Sequence, residues 1–156
     1  MSIKPGDVVD DFELPDQDGT PRRLSALLAD GPVVLFFYPA AMSSGCTAEA
    51  CNFRDLAAEF REAGAQRVGI SRDLPEKQKQ FSDKHGFDYP LLSDPNSDVA
   101  AALGVKRKLP LGPLSTKRMT FVIGTDRRVV EIIHSETNMN DHAARALEAL
   151  AAAKKA

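Results

Sequence analysis

The sequence predicts an α/β fold in which a mixed central sheet is flanked by helices. The run VVLFFY at residues Val33–Tyr38 is apolar throughout, lies between Gly31-Pro32 and Pro39, and is too short for a helix. Such a run is typical of a central strand that is buried on both faces. Strand and helix patterns alternate after it until a late hairpin and a final helix, which favours a mixed sheet with helices on both sides.

The composition indicates one ordinary globular domain spanning residues 1–156. The 20 Lys and Arg and the 22 Asp and Glu leave a formal net charge of −2, which disfavours a nucleic-acid partner. Area scaling predicts that roughly 69% of the unfolded surface becomes buried, enough for a core without disulfides or metals. No apolar run is long enough to span a membrane, and the acidic N-terminus lacks the apolar stretch of a signal peptide. We therefore expect a cytoplasmic protein.

The first predicted elements lie on either side of the central strand. Phe12–Leu14 and Arg22–Leu24 flank the turn residues Asp16–Gly19, which predicts an N-terminal β-hairpin. After the central strand, a polar loop leads into a helix from about Cys46 to Ala63, which Gly64 ends.

Shorter elements follow in the middle of the chain. Arg67–Ser71 is predicted to be a second strand. Pro75–Lys84 is predicted to be a helix, because a proline opens it and Gly86 follows its end. Asn96–Leu103 is a further predicted helix, closed by Gly104.

The last predicted elements complete the fold. Met119–Gly124 and Val129–His134 form a second hairpin, and a final helix begins at about Asp141. This order of elements fits a thioredoxin-like α/β fold with an N-terminal β-hairpin extension.

The segment Val105–Lys117, VKRKLPLGPLSTK, is the ambiguous part of the chain. Its spacing of proline and glycine allows only a loop. Leu109, Leu111 and Leu114 are either exposed or folded back over the core, and the sequence leaves both alternatives open.

Two cysteines, Cys46 and Cys51, are the only ones in the chain. A disulfide-stapled secreted domain usually carries more, so the pair suggests thiol chemistry in a reducing compartment. The small polar residues Ser43–Gly45 precede a helical pattern and place Cys46 in its first turn, where thiolates are stabilised. Full ionisation makes a free thiol only about 14-fold more reactive at neutral pH, so fast chemistry needs other groups that hold the reacting partner.

The two cysteines face different sides of the predicted helix. Cys51 lies about 140° further round, and an ideal helix separates Cα atoms at i and i+5 by about 8.7 Å. Because a disulfide needs a Cα separation below roughly 7 Å, the two sulfurs bond only if the first turns unwind. Cys46 instead begins an apolar stripe at spacings of three and four: Cys46, Ala50, Phe53, Ala57 and Phe60.

The two cysteines also allow other interpretations. A free cysteine is often a small buried apolar residue, and for Cys51 this alternative stays open. For Cys46 this interpretation is disfavoured, because the residue follows a glycine at the start of a helix. A zinc site is disfavoured because C-x4-C lacks the usual ligand spacing. We expect His85, His134 and His142 to be surface or capping residues.

The segment FFYPAAMSSGCTAEACNFRD, residues 36–55, resembles the active-site segment of peroxiredoxins of the AhpC/TSA superfamily, especially the bacterioferritin-comigratory (PrxQ) subfamily. The peroxiredoxin pattern is Pro, then Thr or Ser four residues on, then the reactive Cys three residues later; Pro39, Ser43 and Cys46 match it. Arg118, directly before MTFVI, matches the arginine that precedes a TFLID-type strand in the family. The similarity runs from about residue 6 to residue 133.

The resemblance implies a thiol-dependent peroxidase that needs no cofactor or metal. Cys46 would attack a hydroperoxide and become a sulfenic acid, held by Arg118, Ser43 and nearby backbone N–H groups, while Pro39 would shield the product. Without the resemblance, Arg118 is more typical of a solvated flank before a strand, and Pro39 is equally a simple strand terminator. Ser43 can be a helix cap as well as a site residue, because the two roles are compatible. Cys51 would be the resolving cysteine, and thioredoxin or a similar dithiol would reduce the resulting Cys46–Cys51 disulfide.

Two alternative functions remain on the same fold. A general thiol–disulfide oxidoreductase would normally present C-x-x-C, which this chain lacks. A redox sensor or holdase would share both cysteines. We expect a hydroperoxide substrate and a dithiol reductant as partners, no nucleic acid or membrane, and a monomer or weak homodimer.

Overall fold

The computed structural model describes residues 3–111 and 114–155. Strands and helices alternate through most of this length, as the hydrophobic patterning predicts. In chain order the elements are β1 (Glu13–Pro15), β2 (Pro21–Arg23), α1 (Leu24–Leu28), β3 (Val33–Phe37), α2 (Ser44–Asp55), α3 (Ala57–Glu62), β4 (Gln66–Ser71), α4 (Pro75–His85), β5 (Leu91–Ser93), α5 (Asp98–Ala102), β6 (Lys106–Leu111), β7 (Leu114–Thr116), β8 (Met119–Ile123), β9 (Val129–His134) and α6 (Met139–Lys155).

Five strands form one mixed sheet in the order β5-β4-β3-β8-β9. The central strand β3 is parallel to β4 and antiparallel to β8, and all five of its residues are buried. The outer pairs are parallel between β4 and β5 and antiparallel between β8 and β9. This sheet, with helices on both faces, confirms the predicted thioredoxin-like α/β class.

The alternation of side chains along β3 divides the core into two layers. Val33, Leu35 and Phe37 face one layer, which α1 and α5 cover. Val34 and Phe36 face the other, which α2, α3, α4 and α6 cover. In this second layer Phe36 stacks on a phenylalanine of α2 at a centroid separation of 4.3 Å, so the buried stripe of α2 lies directly against the central strand.

The hairpin of β1 and β2 is antiparallel, as predicted. Its turn is held by Asp16, whose Oδ1 accepts the backbone N–H groups of Asp18 and Thr20. The predicted end of the helix α4 is likewise confirmed: Gly86 follows it at φ 66°, a left-handed conformation that glycine adopts without strain.

The helix predicted from about Cys46 begins at Ser44, so Cys46 lies in its first turn as predicted. The prediction of a single helix to Ala63 is wrong, because the helix is interrupted at Leu56, which separates α2 from α3. Arg67 of β4 donates from Nη1 to the carbonyl of Phe53 at 2.9 Å. In an unbroken helix this carbonyl would accept the backbone N–H four residues later in the chain. This contact comes from another strand, so helical periodicity could not reveal it.

The loop predicted over Val105–Lys117 is also wrong, because β6 and β7 form an antiparallel two-stranded sheet there. Both strands of such a ribbon are edge strands, which tolerate a proline such as Pro110 in β6. The side chains of the three leucines, whose exposure the sequence left open, lie outside the described part of the chain: Leu109, Leu111 and Leu114.

Within the described residues, no helix combines the length and the apolar character that crossing a bilayer requires.

Candidate active site

Cys46 lies in the first turn of α2, just beyond the carboxyl end of β3. Pro39 is buried directly after the strand, and Met42 adopts φ 72°, which turns the chain towards the helix. The backbone N–H of Ala41 donates to Asp73 Oδ2 at 2.7 Å, so the loop is tied to the segment that follows β4. The loop therefore holds the helix start, and with it the thiol, against the end of the sheet.

The guanidinium of Arg118 lies against this thiol. Arg118 Nη1 is 3.2 Å from Cys46 Sγ, and both side chains are buried. Although 72 positions separate the two residues, β8 pairs with β3 in the sheet, which brings the residue before β8 to the helix that follows β3. A Cβ on Gly45 would lie 3.2 Å from Arg118 Nη2, so the glycine leaves the room that the guanidinium needs.

Arg118 is held at its backbone as well as at its side chain. Its N–H donates to Glu136 Oε2 at 3.2 Å, and the same oxygen lies 2.7 Å from Nε2 of His134. The loop between β9 and α6 therefore fixes the point from which the guanidinium extends.

Glu49 lies one turn after Cys46 on the buried face of α2. Its Oε1 is 3.6 Å from Arg118 Nη1, and its side chain is fully buried. Burial raises the pKa of Glu49 to about 8, against a smaller lowering by the charge of Arg118. At neutral pH the carboxyl therefore keeps its proton, and the Arg118 charge is left facing the sulfur.

His142 of α6 lies on the far side of this carboxyl. Its Nε2 is 2.8 Å from the Ser135 carbonyl oxygen and 3.3 Å from Glu49 Oε2, while its Nδ1 is 2.8 Å from Thr120 Oγ1. The ring is fully buried, and this burial is the main cause that lowers the pKa of His142. The expectation of a surface or capping residue is wrong for His142, because α6 packs this side of its first turn onto the sheet.

Sequence reasoning missed both Glu49 and His142. The signal for Glu49 was a carboxylate three residues after Cys46 and four before Phe53, which is the helical spacing of the apolar stripe predicted to be buried. No comparable signal marks His142, since its burial depends on how α6 meets β8 and β9. The other two histidines differ from it: His134 is exposed, and His85 is half-buried beside phenylalanine rings.

Ser43 immediately precedes α2, but its hydroxyl makes no capping bond to the helix. The O–H donates instead to the Ala40 carbonyl at 2.8 Å. The expected side-chain cap is therefore wrong, and the hydroxyl is oriented by the loop.

Cys51 is half-buried on a different side of α2, and both cysteines are free thiols. Between the two, α2 is a continuous helix. The Tyr89 hydroxyl donates to the Ala50 carbonyl at 2.7 Å, and Asn52 Nδ2 donates to the Asn140 carbonyl at 3.4 Å. Contacts from outside the helix thus hold the segment around Cys51 in its helical form.

Three comparisons place the chain among known proteins. The sequence model described as the AhpC/TSA family matches residues 5–132. Peroxiredoxin Bcp of Escherichia coli strain K12 is 36% identical over 143 residues, which are 90% of this chain and 91% of that protein. The crystal structure of peroxidoxin BcpB from Mycobacterium tuberculosis shares 63% identity with a TM-score of 0.91, covering 96% of this chain and 97% of its own. A structure of the Xanthomonas campestris bacterioferritin comigratory protein, described for its alkyl peroxide reduction activity, shares 31% identity with a TM-score of 0.84 and covers 98% of both chains.

Proposed function

We propose that Cys46 attacks the hydroperoxide in this chain, which belongs to the AhpC/TSA family and is a thiol-dependent peroxidase. The observation that carries this assignment is the 3.2 Å contact between the buried Cys46 sulfur and the Arg118 guanidinium. A buried thiolate needs a compensating charge, and a planar guanidinium presents several fixed donors at once. Arg118 can therefore contact the sulfur and the oxygens of a bound peroxide together.

The proposed reaction moves one oxygen from the peroxide to sulfur. The Cys46 thiolate attacks the terminal oxygen, an S–O bond forms and the O–O bond breaks, so that the cysteine is oxidised to a sulfenic acid. The terminal oxygen keeps its hydrogen and stays on sulfur, while the leaving oxygen takes the electron pair of the broken bond, accepts a proton from solvent and departs as water or an alcohol. Negative charge shifts from sulfur to that oxygen in the transition state. Arg118 already contacts the sulfur and has further N–H groups that can donate to the oxygen, which is why we assign it the stabilising role.

Ser43 and Pro39 are proposed to complete the site. Because the Ser43 hydroxyl donates its proton to the Ala40 carbonyl, its oxygen is free to accept the O–H of a hydroperoxide. Pro39 is buried beside the loop and has no N–H to hydrate, so it limits the access of water to the sulfenic acid.

Cys51 is proposed to resolve the sulfenic acid. Its thiolate attacks the Cys46 sulfur, a disulfide forms, and the hydroxyl leaves as water. Since the intact helix separates the two residues, the first turns of α2 must unwind first. A dithiol of the thioredoxin type, the class of reductant that the family uses, then reduces the disulfide and restores both thiols. We propose thioredoxin or a similar small dithiol protein as the donor.

Mass mapping and quenched-flow kinetics test the assignment together. Mixing the reduced enzyme with hydrogen peroxide and trapping with dimedone should label Cys46 first, and longer reaction times should yield a Cys46–Cys51 disulfide. Dimedone on Cys51 alone, or no disulfide between the two, would overturn it. The cytoplasmic location and the monomer or weak homodimer stay predictions, which fractionation and sedimentation would check.

A further inference from the structure

The tautomer of His142 follows from its two hydrogen bonds. The Ser135 carbonyl can only accept, so Nε2 of His142 must carry the hydrogen that lies between them. Burial lowers the pKa of His142, so the ring is neutral and Nδ1 is an acceptor, to which the Thr120 hydroxyl donates at 2.8 Å. The ring is neutral and fixed from both sides, and its single N–H also points within 3.3 Å of Glu49 Oε2.

A series of side-chain contacts connects this ring to the Arg118 guanidinium. β8 contributes Thr120 and is preceded by Arg118, α2 contributes Cys46 and Glu49, and α6 contributes His142. From Thr120 the contacts run through the imidazole to the Glu49 carboxyl and from there to the guanidinium. Three elements are therefore linked directly beneath the sulfur.

Glu49 depends on this arrangement for its position. Among the described residues, neither of its carboxyl oxygens makes a well-formed hydrogen bond; each only lies near a donor, Arg118 Nη1 on one side and His142 Nε2 on the other. A buried carboxyl held by two long contacts is free to rotate if one of them is removed. Rotation would leave the guanidinium without its support opposite the sulfur.

We propose that His142 is a positioning residue for peroxide reduction, which holds Glu49 against Arg118 and so keeps the guanidinium fixed opposite Cys46. The inference rests on the proposed role of Arg118. It assigns His142 no contact with the peroxide: the imidazole acts through Glu49. A displacement of about 1 Å in a group that stabilises the transition state is enough to slow a reaction substantially, so a buried support of this kind has a measurable effect.

Two substitutions separate the two nitrogens of His142. In His142→Gln the amide NH₂ reaches the position of Nε2 and can still donate towards Ser135 and Glu49. In His142→Asn the shorter side chain can bond Thr120 but cannot reach Glu49. Both variants, and His85→Asn as a control away from the site, are made with Cys51→Ser so that Cys46 is the one thiol.

Oxidation of Cys46 by hydrogen peroxide is compared with its alkylation by iodoacetamide, both followed by quenched-flow mass spectrometry because the chain has no tryptophan. Both reactions need the Cys46 thiolate, but only oxidation also needs the Arg118 guanidinium to be held against a peroxide oxygen. We expect His142→Asn to slow oxidation about tenfold, the lower end of the effect of losing a supporting partner in other sites, with alkylation nearly unchanged. His142→Gln should restore most of the oxidation rate, and His85→Asn should leave both rates unchanged.

Three results would overturn the inference: wild-type oxidation in His142→Asn, an equal loss of oxidation and alkylation, or no rescue by His142→Gln. If His142→Asn does not fold, Thr120→Val carries the test, because it removes the donor to Nδ1 at nearly constant shape and should slow oxidation selectively. An Arg118→Met enzyme that oxidises normally would instead remove the proposed role of Arg118, which distinguishes that failure from the failure of His142.

Discussion

The two cysteines lie on one helix, yet their surroundings differ. Cys46 is fully buried, and its sulfur contacts a guanidinium that residues of α2 and the β9–α6 loop hold in place. Cys51 is half-buried, and what holds its segment is a set of hydrogen bonds to backbone carbonyls from side chains such as Tyr89. In the proposed mechanism, attack by Cys46 on the peroxide requires fixed geometry, whereas resolution by Cys51 requires the same helix to move.

The difference explains how one helix can serve both steps. In the proposed mechanism, oxidation converts the attacking thiolate of Cys46 into a neutral sulfenic acid, which removes most of the attraction of this sulfur to Arg118. The first turn of α2 is then held by fewer favourable contacts than before. We therefore expect the chemical step itself to favour the unwinding that Cys51 needs.

Exchanging each thiol in turn gives the largest expected contrast. Cys46→Ser should abolish peroxide reduction, because a hydroxyl is not ionised at neutral pH and is a poor nucleophile. Cys51→Ser should leave the first oxidation intact and stop recycling by thioredoxin. Peroxide consumption with a thioredoxin system, measured beside single-turnover oxidation, checks both. Peroxide turnover in Cys46→Ser, or normal cycling in Cys51→Ser, would contradict the division of roles.

The buried carboxyl beside Cys46 predicts a pH dependence of stability. The pKa of Glu49 is raised from 4.5 to about 8, so the folded protein binds its proton more tightly than the unfolded chain. The stabilisation is complete below pH 4.5 and is lost as the pH rises through 8. Between pH 5 and pH 8, the wild type should lose about 3 to 4 kcal/mol of unfolding free energy relative to Glu49→Gln. Urea denaturation of both proteins at each pH measures this difference. If the unfolding free energies of the two proteins changed with pH in parallel, Glu49 would be ionised in the folded state.

The next contrast compares two arginines near the two thiols. Arg118→Met should slow sulfenic acid formation by about 10²-fold, since it removes a donor that faces the developing charge. Arg54→Met, on α2 close to Cys51, should change that rate little, because Arg54 bonds Asp55 and the His85 carbonyl. Quenched-flow oxidation measures both variants, and equal rates would remove Arg118 from the site.

The smallest expected effect concerns the segment around Cys51. Tyr89→Phe keeps the aromatic packing but removes the hydrogen bond to the Ala50 carbonyl. Losing about 1 kcal/mol of support for the helix should speed disulfide formation about fivefold without altering the first oxidation. Time-resolved mass mapping follows the disulfide. A slower disulfide in this variant would mean that the bond guides unwinding and does not restrain it.

Features built from residues close together in the chain could be predicted from the sequence. The apolar run of β3, the β1–β2 and β8–β9 hairpins and the end of α4 at Gly86 all follow from periodicity and turn chemistry. The position of Cys46 in a first turn follows from the small polar residues before it. Besides β6 and β7, where a loop was predicted, the short elements α1 and β5 were not predicted, because three to five residues are too few to show a period.

Local sequence patterns are enough to predict the fold class, the strand that leads into the site and the helix turn that carries Cys46. Tertiary contacts account for the break at Leu56, where an arginine of β4 bonds a helix carbonyl, and for the set of buried groups beside the sulfur. Periodicity and capping involve residues a few positions apart, so a short stretch of sequence is enough to predict them. Burial and charge act across space, and here the pairing of β8 with β3 brings Arg118 to a thiol 72 positions away.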